Sequence, residues 1–229
     1  MNQVNSTLQT PQVKICGITS PETALACVRM GADAVGCVFF AKSPRNVSRE
    51  QAREICSAVA GRTVIVGVFV NEPAEVVVEM MTECGLSCAQ LHGVETQDSI
   101  NLLRNRGFRV IKTLFATRAP YIREASLYRA SASLVECGRG TLPGGNAETW
   151  NWQAARETDR TKPLILAGGL DPGNVGEAIR AALPDAVDVS SGVEAAPGKK
   201  DLDKIDAFLT AVRRCGESYP PGRAIRRIF

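Results

Sequence analysis

Cys16 is the residue in this sequence best placed for proton transfer. It ends a short apolar segment, residues 13–16, and Gly17 follows it directly. A thiol at the carboxyl end of a strand can face a ligand. A nearby positive charge can ionise it near neutral pH, so that it acts as a nucleophile or a base. Free cysteine is also among the most buried residue types, so simple burial is the competing interpretation.

Three further side chains lie at predicted strand ends or just beyond them. Glu136 closes the sixth predicted strand and offers an acid to work with Cys16, although one carboxylate identifies no reaction. His92 is the only histidine, which disfavours a histidine-based triad, and we expect it to line a pocket. Arg45 follows the second predicted strand, and its guanidinium can bind a carboxylate in bidentate fashion or remain a solvated charge.

Glycine-bearing turns follow the seventh and eighth predicted strands. Gly168 and Gly169 lie in the first turn, and Ser190, Ser191 and Gly192 lie in the second. Glycine lets backbone N–H groups approach an anion closely, and in an α/β barrel these two loops form the common phosphate site. The sequence therefore predicts phosphate binding here, with turns that merely permit tight chain reversal as the alternative.

Short apolar runs alternate with amphipathic segments along the whole chain. Their near-continuous apolar character is typical of parallel strands covered on both faces. Eight such units predict a single-domain (β/α)8 TIM barrel, with a doubly wound open sheet as the competing architecture. The predicted strands are residues 13–16, 34–40, 63–70, 88–91, 109–114, 133–136, 163–167 and 186–190.

Capping residues mark several helix starts between these strands. Ser20 before a proline, and Ser48 with Gln51 three positions later, are typical N-terminal signals, and Asp171 before a proline predicts another. The helical pattern is weakest at residues 121–130, and residues 154–158 could form only a short helix or turn. The loop 137–151, rich in glycine, falls between a strand and a helix and is interpreted as an active-site loop.

Composition and length indicate the class of protein and its domain boundaries. The chain has 229 residues, 45% hydrophobic and 22% charged, with a net charge of +3, which is too small to indicate nucleic-acid binding. No apolar run is long enough to cross a bilayer and no signal core is visible, so we expect a cytoplasmic protein without a membrane partner. We assign 1–12 to a flexible N-terminal extension, 13–214 to the barrel and 215–229 to a C-terminal extension.

The eight cysteines are expected to be reduced thiols, because a chain this long can bury its own core. Cys84, Cys88 and His92 are spaced by four, but Cys88 is predicted in a strand after a helix stop at Gly85, so no metal site is expected. The basic C-terminal extension is interpreted as a packing segment or appendage, with contact to RNA or a partner as the alternative.

Several ordered motifs make the chain resemble the phosphoribosylanthranilate isomerase family from Val13 to about Val212. They are KICGIT at 14–19, SPR at 43–45, GVFVN at 67–71, QLHG at 90–93, LAGGL at 166–170, DVSSGVE at 188–194 and PGKKD at 197–201. The resemblance implies an isomerase of tryptophan biosynthesis that needs no cofactor and acts on a small phosphosugar. We expect a monomer or homodimer.

The resemblance also implies roles for individual residues. Cys16 would be the base that removes the C2 proton, and Glu136 the acid that protonates the furanose ring oxygen. Arg45 would hold the anthranilate carboxylate and Asp188 a ribose hydroxyl. The turns at Gly168, Gly169, Ser190, Ser191 and Gly192 would hold the phosphate.

Two features depart from the family pattern. Glu136 stands where the family usually has aspartate, and the loop after strand six keeps only its leading glycines and final tryptophan. These departures leave a second hypothesis, a divergent phosphosugar-binding barrel with weak or no isomerase activity. A third is a Schiff-base aldolase that uses Lys112.

Overall fold

A closed parallel barrel forms the body of the protein. The computed structural model describes residues 10–139, 149–216, 219 and 223–229. Eight strands pair in chain order, and β8 closes on β1 through the register Lys14 to Asp188. The predicted (β/α)8 barrel is confirmed, and no predicted strand end differs by more than one residue. The strands are β1 Gln12–Cys16, β2 Ala34–Phe39, β3 Val64–Phe69, β4 Cys88–Leu91, β5 Arg109–Phe115, β6 Ala132–Glu136, β7 Leu164–Leu166 and β8 Ala186–Val189.

Six α-helices pack outside the barrel in the described residues. Ser20 and Ser48 cap the first two, and Ser48 forms the predicted capping box with Gln51. The cap predicted at Asp171 is wrong, because its carboxylate accepts from Gly173 and Asn174 in a turn before the helix begins. The helices are α1 Pro21–Met30, α2 Arg49–Val59, α3 Ala74–Cys84, α4 Gln97–Asn105, α5 Val175–Ala182 and α6 Leu202–Arg213.

Short 3₁₀ segments replace regular helices after β5 and β6. They span Ile122–Leu127 and Trp152–Glu157, where the sequence pattern for an α-helix is weakest. Side chains cap them locally: Glu124 accepts from the Tyr121 N–H, and Asn151 accepts from the Gln153 N–H. Much of the predicted active-site loop, residues 140–148, lies outside the described residues.

A hairpin absent from the sequence prediction follows β8. It pairs β9 Glu194–Ala196 with β10 Lys199–Lys200 in antiparallel fashion, after a 3₁₀ turn at Ser191–Val193. Gly198 at its tip has a φ of 79°, and a Cβ there would lie 2.5 Å from the Pro44 carbonyl oxygen. The hairpin therefore packs directly on the loop after β2, where Arg45 lies.

Alternation along the strands separates two buried layers. In β1, Val13 and Ile15 belong to the apolar layer between strands and helices, whereas Cys16 faces the barrel interior. Because side chains two apart share a face, Lys14 also faces the interior. The interior carries apolar residues such as Ile111 and Leu134.

The last seven residues cross the amino-terminal end of the barrel, opposite the loops that follow the strands. Ile228 and Phe229 are 7% and 5% exposed and join the interior cluster. The Gln12 side-chain oxygen accepts from the Ile228 N–H at 2.7 Å, and Arg226 pairs with Asp185 at 2.7 Å. Residues 223–229 are here named the tail segment.

All eight cysteines are buried and unpaired to one another, as expected of thiols. Among the described residues, none of the helices is both long and apolar enough for a membrane span.

Candidate active site

Cys16 lies at the carboxyl end of β1, inside the barrel mouth. It is buried, and the loop continues at Gly17, whose φ is 78°. A Cβ on Gly17 would lie 2.5 Å from Arg45 Cδ, so glycine allows the Arg45 side chain to lie across this loop. Burial raises the pKa of the Cys16 thiol, and the neighbouring charge of Lys14 opposes that rise.

Lys14 and Asp188 form a buried ion pair beside the thiol. Lys14 Nζ lies 2.9 Å from Asp188 Oδ1, and the Lys14 side chain is fully enclosed. Burial alone would lower the pKa of Lys14, but Asp188 and Cys16 hold it above its ordinary value. Burial raises the pKa of Asp188 despite the opposing charge of Lys14.

The other half of the site is a chain of hydrogen bonds that ends at Glu136. Glu136 Oε1 lies 3.3 Å from His92 Nε2. His92 Nδ1 lies 2.8 Å from Gln90 Nε2 and 3.2 Å from Thr113 Oγ1. Because the Gln90 amide nitrogen donates, His92 Nδ1 accepts, and the ring proton on Nε2 points to Glu136. All four side chains are buried and come from β4, β5 and β6 or their ends.

Arg45 lies at the site and forms an ion pair with Glu194. Its Nε and Nη2 donate to the two carboxylate oxygens of Glu194 at 2.8 and 2.7 Å. Lys200 Nζ contacts the same carboxylate at 2.7 Å and the Ser190 carbonyl oxygen at 3.0 Å. Burial would raise the pKa of Glu194, but Arg45 and Lys200 hold it below its ordinary value. The ion pair with Glu194 thus fixes the orientation of the Arg45 guanidinium at the barrel mouth.

The two glycine-bearing loops lie in direct contact. A Cβ on Gly192 would lie 1.9 Å from the Leu170 carbonyl oxygen, so only glycine permits this approach. Gly168 and Gly169 have φ values of 87° and 66°, the left-handed region that glycine adopts most easily. Ser190 Oγ donates to the Cys16 carbonyl oxygen at 3.1 Å, which joins the second loop to the end of β1. Ser191 begins the 3₁₀ turn beside it.

Lys112 does not face the barrel mouth. It lies between Ile111 and Thr113, which face the interior, so its side chain points to the outer layer. Its Nζ donates to Glu95 Oε2 and the Gly93 carbonyl oxygen at 2.7 Å each, and to the Leu91 carbonyl oxygen at 3.4 Å. These three acceptors engage all three donors of an ammonium group, so the position does not suit a Schiff-base nucleophile.

In the part of the chain that the structure describes, no three or more His, Cys, Asp or Glu residues are arranged to hold a metal ion.

A closed (β/α)8 barrel with a thiol, a carboxyl group and two contacting glycine loops at one mouth is typical of barrel enzymes, whose active sites lie at the carboxyl ends of the strands. The family model for N-(5'phosphoribosyl)anthranilate (PRA) isomerase matches residues 13–211. The chain belongs to this family, and the predicted isomerase is confirmed at that level.

Relatives and solved structures agree with this assignment. The N-(5'-phosphoribosyl)anthranilate isomerase of Desulfatibacillum aliphaticivorans is 48% identical over 218 residues, which cover 95% of this chain and 98% of the relative. The isomerase structure from Thermotoga maritima has a TM-score of 0.80 at 39% identity, covering 89% of this chain and 99% of that one. Another isomerase structure, in complex with reduced 1-(O-carboxyphenylamino)-1-deoxyribulose 5-phosphate, has a TM-score of 0.77 at 38% identity, covering 89% and 99%. Nothing among these relatives supports the alternative of a barrel without isomerase activity.

The sequence predicted the site residues at the strand ends but not the charged residues that pair with them or lie beside them. Lys14, Glu194 and Lys200 were visible only as parts of motifs, without a role. The alternation of β1 could have placed Lys14 beside Cys16, because residues two apart share a face. The contact of Arg45 with Glu194 spans 149 positions and leaves no local signal.

Proposed function

We propose that Cys16 and Glu136 carry out the proton transfers of the isomerase reaction in this chain. The reaction is the Amadori rearrangement of N-(5-phosphoribosyl)anthranilate to 1-(2-carboxyphenylamino)-1-deoxyribulose 5-phosphate, a step of tryptophan biosynthesis. The observation that carries the proposal is the placement of both groups at one barrel mouth, Cys16 beside the buried ion pair of Lys14 with Asp188 and Glu136 beside the buried His92 ring.

Glu136 acts first, as the general acid. Its carboxylic proton moves to the furanose ring oxygen, the bond from C1 to that oxygen breaks, and the nitrogen lone pair completes a Schiff base. The carboxylate that remains accepts the N–H of His92, whose Nε2 lies 3.3 Å away. This hydrogen bond gives the buried carboxylate a polar partner once its proton has left.

Cys16 acts second, as the general base. Its thiolate takes the C2 proton, the electron pair of that C–H bond becomes the C1–C2 double bond, and the iminium nitrogen receives the displaced π electrons. The product of this step is an enolamine, which tautomerises to the ketone. The atoms and electrons balance without an oxidant or a reductant, and the proposal includes no cofactor.

The remaining site residues bind the substrate in this proposal. Arg45 offers Nη1 to the anthranilate carboxylate while Glu194 holds its other edge. Asp188 accepts a hydrogen bond from a ribose hydroxyl. The backbone at Gly168, Gly169, Ser190, Ser191 and Gly192 surrounds the phosphate, since loops after strands seven and eight suit an anion.

The proposal also covers the ligand, the cellular location and the assembly of the protein. The ligand is a small phosphosugar, with no nucleic-acid or membrane partner, and the protein acts in the cytoplasm as a monomer or homodimer. Light scattering after size-exclusion chromatography separates those two assemblies.

A direct assay tests the function. Purified protein is added to freshly generated phosphoribosylanthranilate, and the loss of its fluorescence is followed. The expected result is consumption well above the spontaneous rate and proportional to enzyme concentration. A rate equal to the background, with retained binding of a phosphorylated product analogue in calorimetry, would instead support a binding barrel.

A further inference from the structure

Lys14 is the charged group most closely associated with the Cys16 thiol. The two residues are two positions apart on β1 and share its inward face. Gly36 on β2 pairs with Cys16 in the strand register. A Cβ on Gly36 would lie 3.0 Å from Cys16 Sγ and 3.2 Å from Lys14 Nζ, so both atoms border the small space that this glycine leaves.

Among the described residues, the enclosed ammonium of Lys14 pairs with one carboxylate. Lys14 has no exposed surface, and its Nζ contacts Asp188 Oδ1 at 2.9 Å. A buried cation without a compensating anion is strongly disfavoured, so Asp188 keeps Lys14 charged. The strand register places Asp188 directly beside Lys14, on β8.

We propose that Lys14 is a positioning residue for the isomerase reaction: its buried ammonium, kept charged by Asp188, stabilises the Cys16 thiolate that accepts the C2 proton. This inference rests on the proposed role of Cys16 as the base. Burial in a barrel raises the pKa of a thiol, and a fixed cation beside the thiol lowers it. When the proton reaches Sγ, the thiol becomes neutral and Lys14 keeps its pairing with Asp188.

Other groups around the pair act more weakly or in the opposite direction. Lys200 on β10 favours the thiolate, whereas Asp188 disfavours it. The charge of Cys16 contributes to the raised pKa of Cys37 on β2. The charge of Lys14 opposes the rise in the pKa of Cys88 on β4. His92, just after β4, and Glu136, at the end of β6, lie near enough to influence Asp188. Among the groups that favour the Cys16 thiolate, the charge of Lys14 acts most strongly.

Three variants separate this electrostatic role from a structural one. Lys14→Met removes the cation, Asp188→Asn removes its counterion, and the double variant removes the whole pair. The readout is the rate at which iodoacetamide alkylates Cys16 as a function of pH, followed by peptide mapping because the chain has seven other cysteines. The pH profile of kcat/KM is measured in parallel.

The two single variants are expected to shift the alkylation midpoint in opposite directions. Lys14→Met moves it to higher pH by at least about one unit, which is about tenfold less thiolate at a given pH. Asp188→Asn moves it to lower pH, because the carboxylate that disfavours the thiolate is gone and the Cys16 thiolate becomes the anion that compensates the buried Lys14 charge. The double variant lies at higher pH than Asp188→Asn, and this comparison remains available if Lys14→Met does not fold. Lys42→Met, at an exposed lysine, changes the net charge equally and is expected to leave the midpoint in place.

An unchanged midpoint in Lys14→Met, or in the double variant relative to Asp188→Asn, would overturn the role of Lys14. The proposed function would still stand if Cys16→Ser lost turnover in the same experiments. Full activity in Cys16→Ser would instead refute the base itself.

Discussion

Glu136 brings a longer side chain to a position where the family usually has aspartate. Its backbone ends β6, and its Oε1 reaches His92 Nε2 at 3.3 Å. An aspartate on the same backbone would place its carboxylate about 1.5 Å further back, because it lacks one methylene. The contact with His92 therefore depends on the glutamate, and the hydrogen-bond chain through Gln90 and Thr113 is arranged for the longer acid.

Two substitutions at Glu136 separate its charge from its length. Glu136→Gln removes the proton donor and is expected to lower kcat by at least about a hundredfold, the usual minimum for a general acid. Glu136→Asp keeps a carboxylic acid but moves it further from the substrate. Its kcat should exceed that of Glu136→Gln and fall by up to about a hundredfold relative to the unaltered protein. Steady-state kinetics with phosphoribosylanthranilate measures both. Equal activity of Glu136→Gln and the unaltered protein would show that another group donates the proton.

At the scale of elements, the mouth is held together by a hairpin and two loops. The Glu194 carboxylate on β9 accepts hydrogen bonds from Nε and Nη2 of Arg45 and from Nζ of Lys200. The loop after β2 is thereby fixed to the segment between β8 and α6. The sequence predicted the loops but not the hairpin, because β9 and β10 are only three and two residues long and Gly198 packs on a residue far away in the chain.

Removal of the Glu194 charge should destabilise the protein in a pH-dependent way. Glu194→Gln leaves Arg45 and Lys200 without their carboxylate, and loss of one partner of a buried pair costs about 3 kcal/mol. The pKa of Glu194 is lower in the folded state than in the unfolded chain. Its stabilisation is therefore complete above the unfolded value of about 4.3 and disappears as the pH falls through the folded value.

Urea denaturation at several pH values measures this difference in the free energy of unfolding. The gap between the unaltered protein and Glu194→Gln should be largest above about pH 5 and should shrink below about pH 4. The matched control is Glu157→Gln at an exposed glutamate, expected to change stability by less than about 0.5 kcal/mol. A gap that stays constant across this pH range would contradict a role for the Glu194 charge.

At the scale of the whole molecule, the barrel has two ends with different functions. One carries the site, and the other is covered by the tail segment, which lies beyond the residues that the family model matches. Arg109 donates to the Ile228 carbonyl oxygen at 2.6 Å, and Gln12 contacts both terminal residues. The tail segment therefore joins strands from several sides of the barrel at its amino-terminal end.

Truncation of the two apolar side chains in the tail segment should reduce stability without affecting catalysis. Ile228→Ala with Phe229→Ala removes buried apolar surface, and each loss costs about 1.5 to 3 kcal/mol. The melting temperature should fall, while kcat/KM at 25 °C stays within about twofold, because the site lies at the opposite end. Calorimetry and the isomerase assay measure the two effects.

Leu127→Ala is the matched control for the tail segment, because Leu127 is 67% exposed and its truncation should change stability little. An equal loss of stability in the control and in the tail variant would show that Ile228 and Phe229 do not contribute through burial.

The sequence predicted the barrel and the strand ends because both depend on local patterns. Apolar runs such as residues 64–70 identify buried parallel strands, and Cys16 and Glu136 stand where those runs stop. The contacts that complete the molecule are not local. The bond between Gln12 and Phe229 spans 217 positions, and the pair of Lys14 with Asp188 spans 174. Such contacts depend on how the barrel closes, which no short window of sequence records.

The most direct test of the central claim is the effect of Cys16→Ser on turnover. A hydroxyl is a far weaker base than a thiolate, so kcat should fall by at least about a hundredfold while KM changes by less than about threefold. Cys215→Ala, which removes a thiol from beyond the end of α6, should keep the activity of the unaltered protein and serves as the control. A kcat for Cys16→Ser within about twofold of the unaltered protein would contradict the assignment of Cys16 as the base.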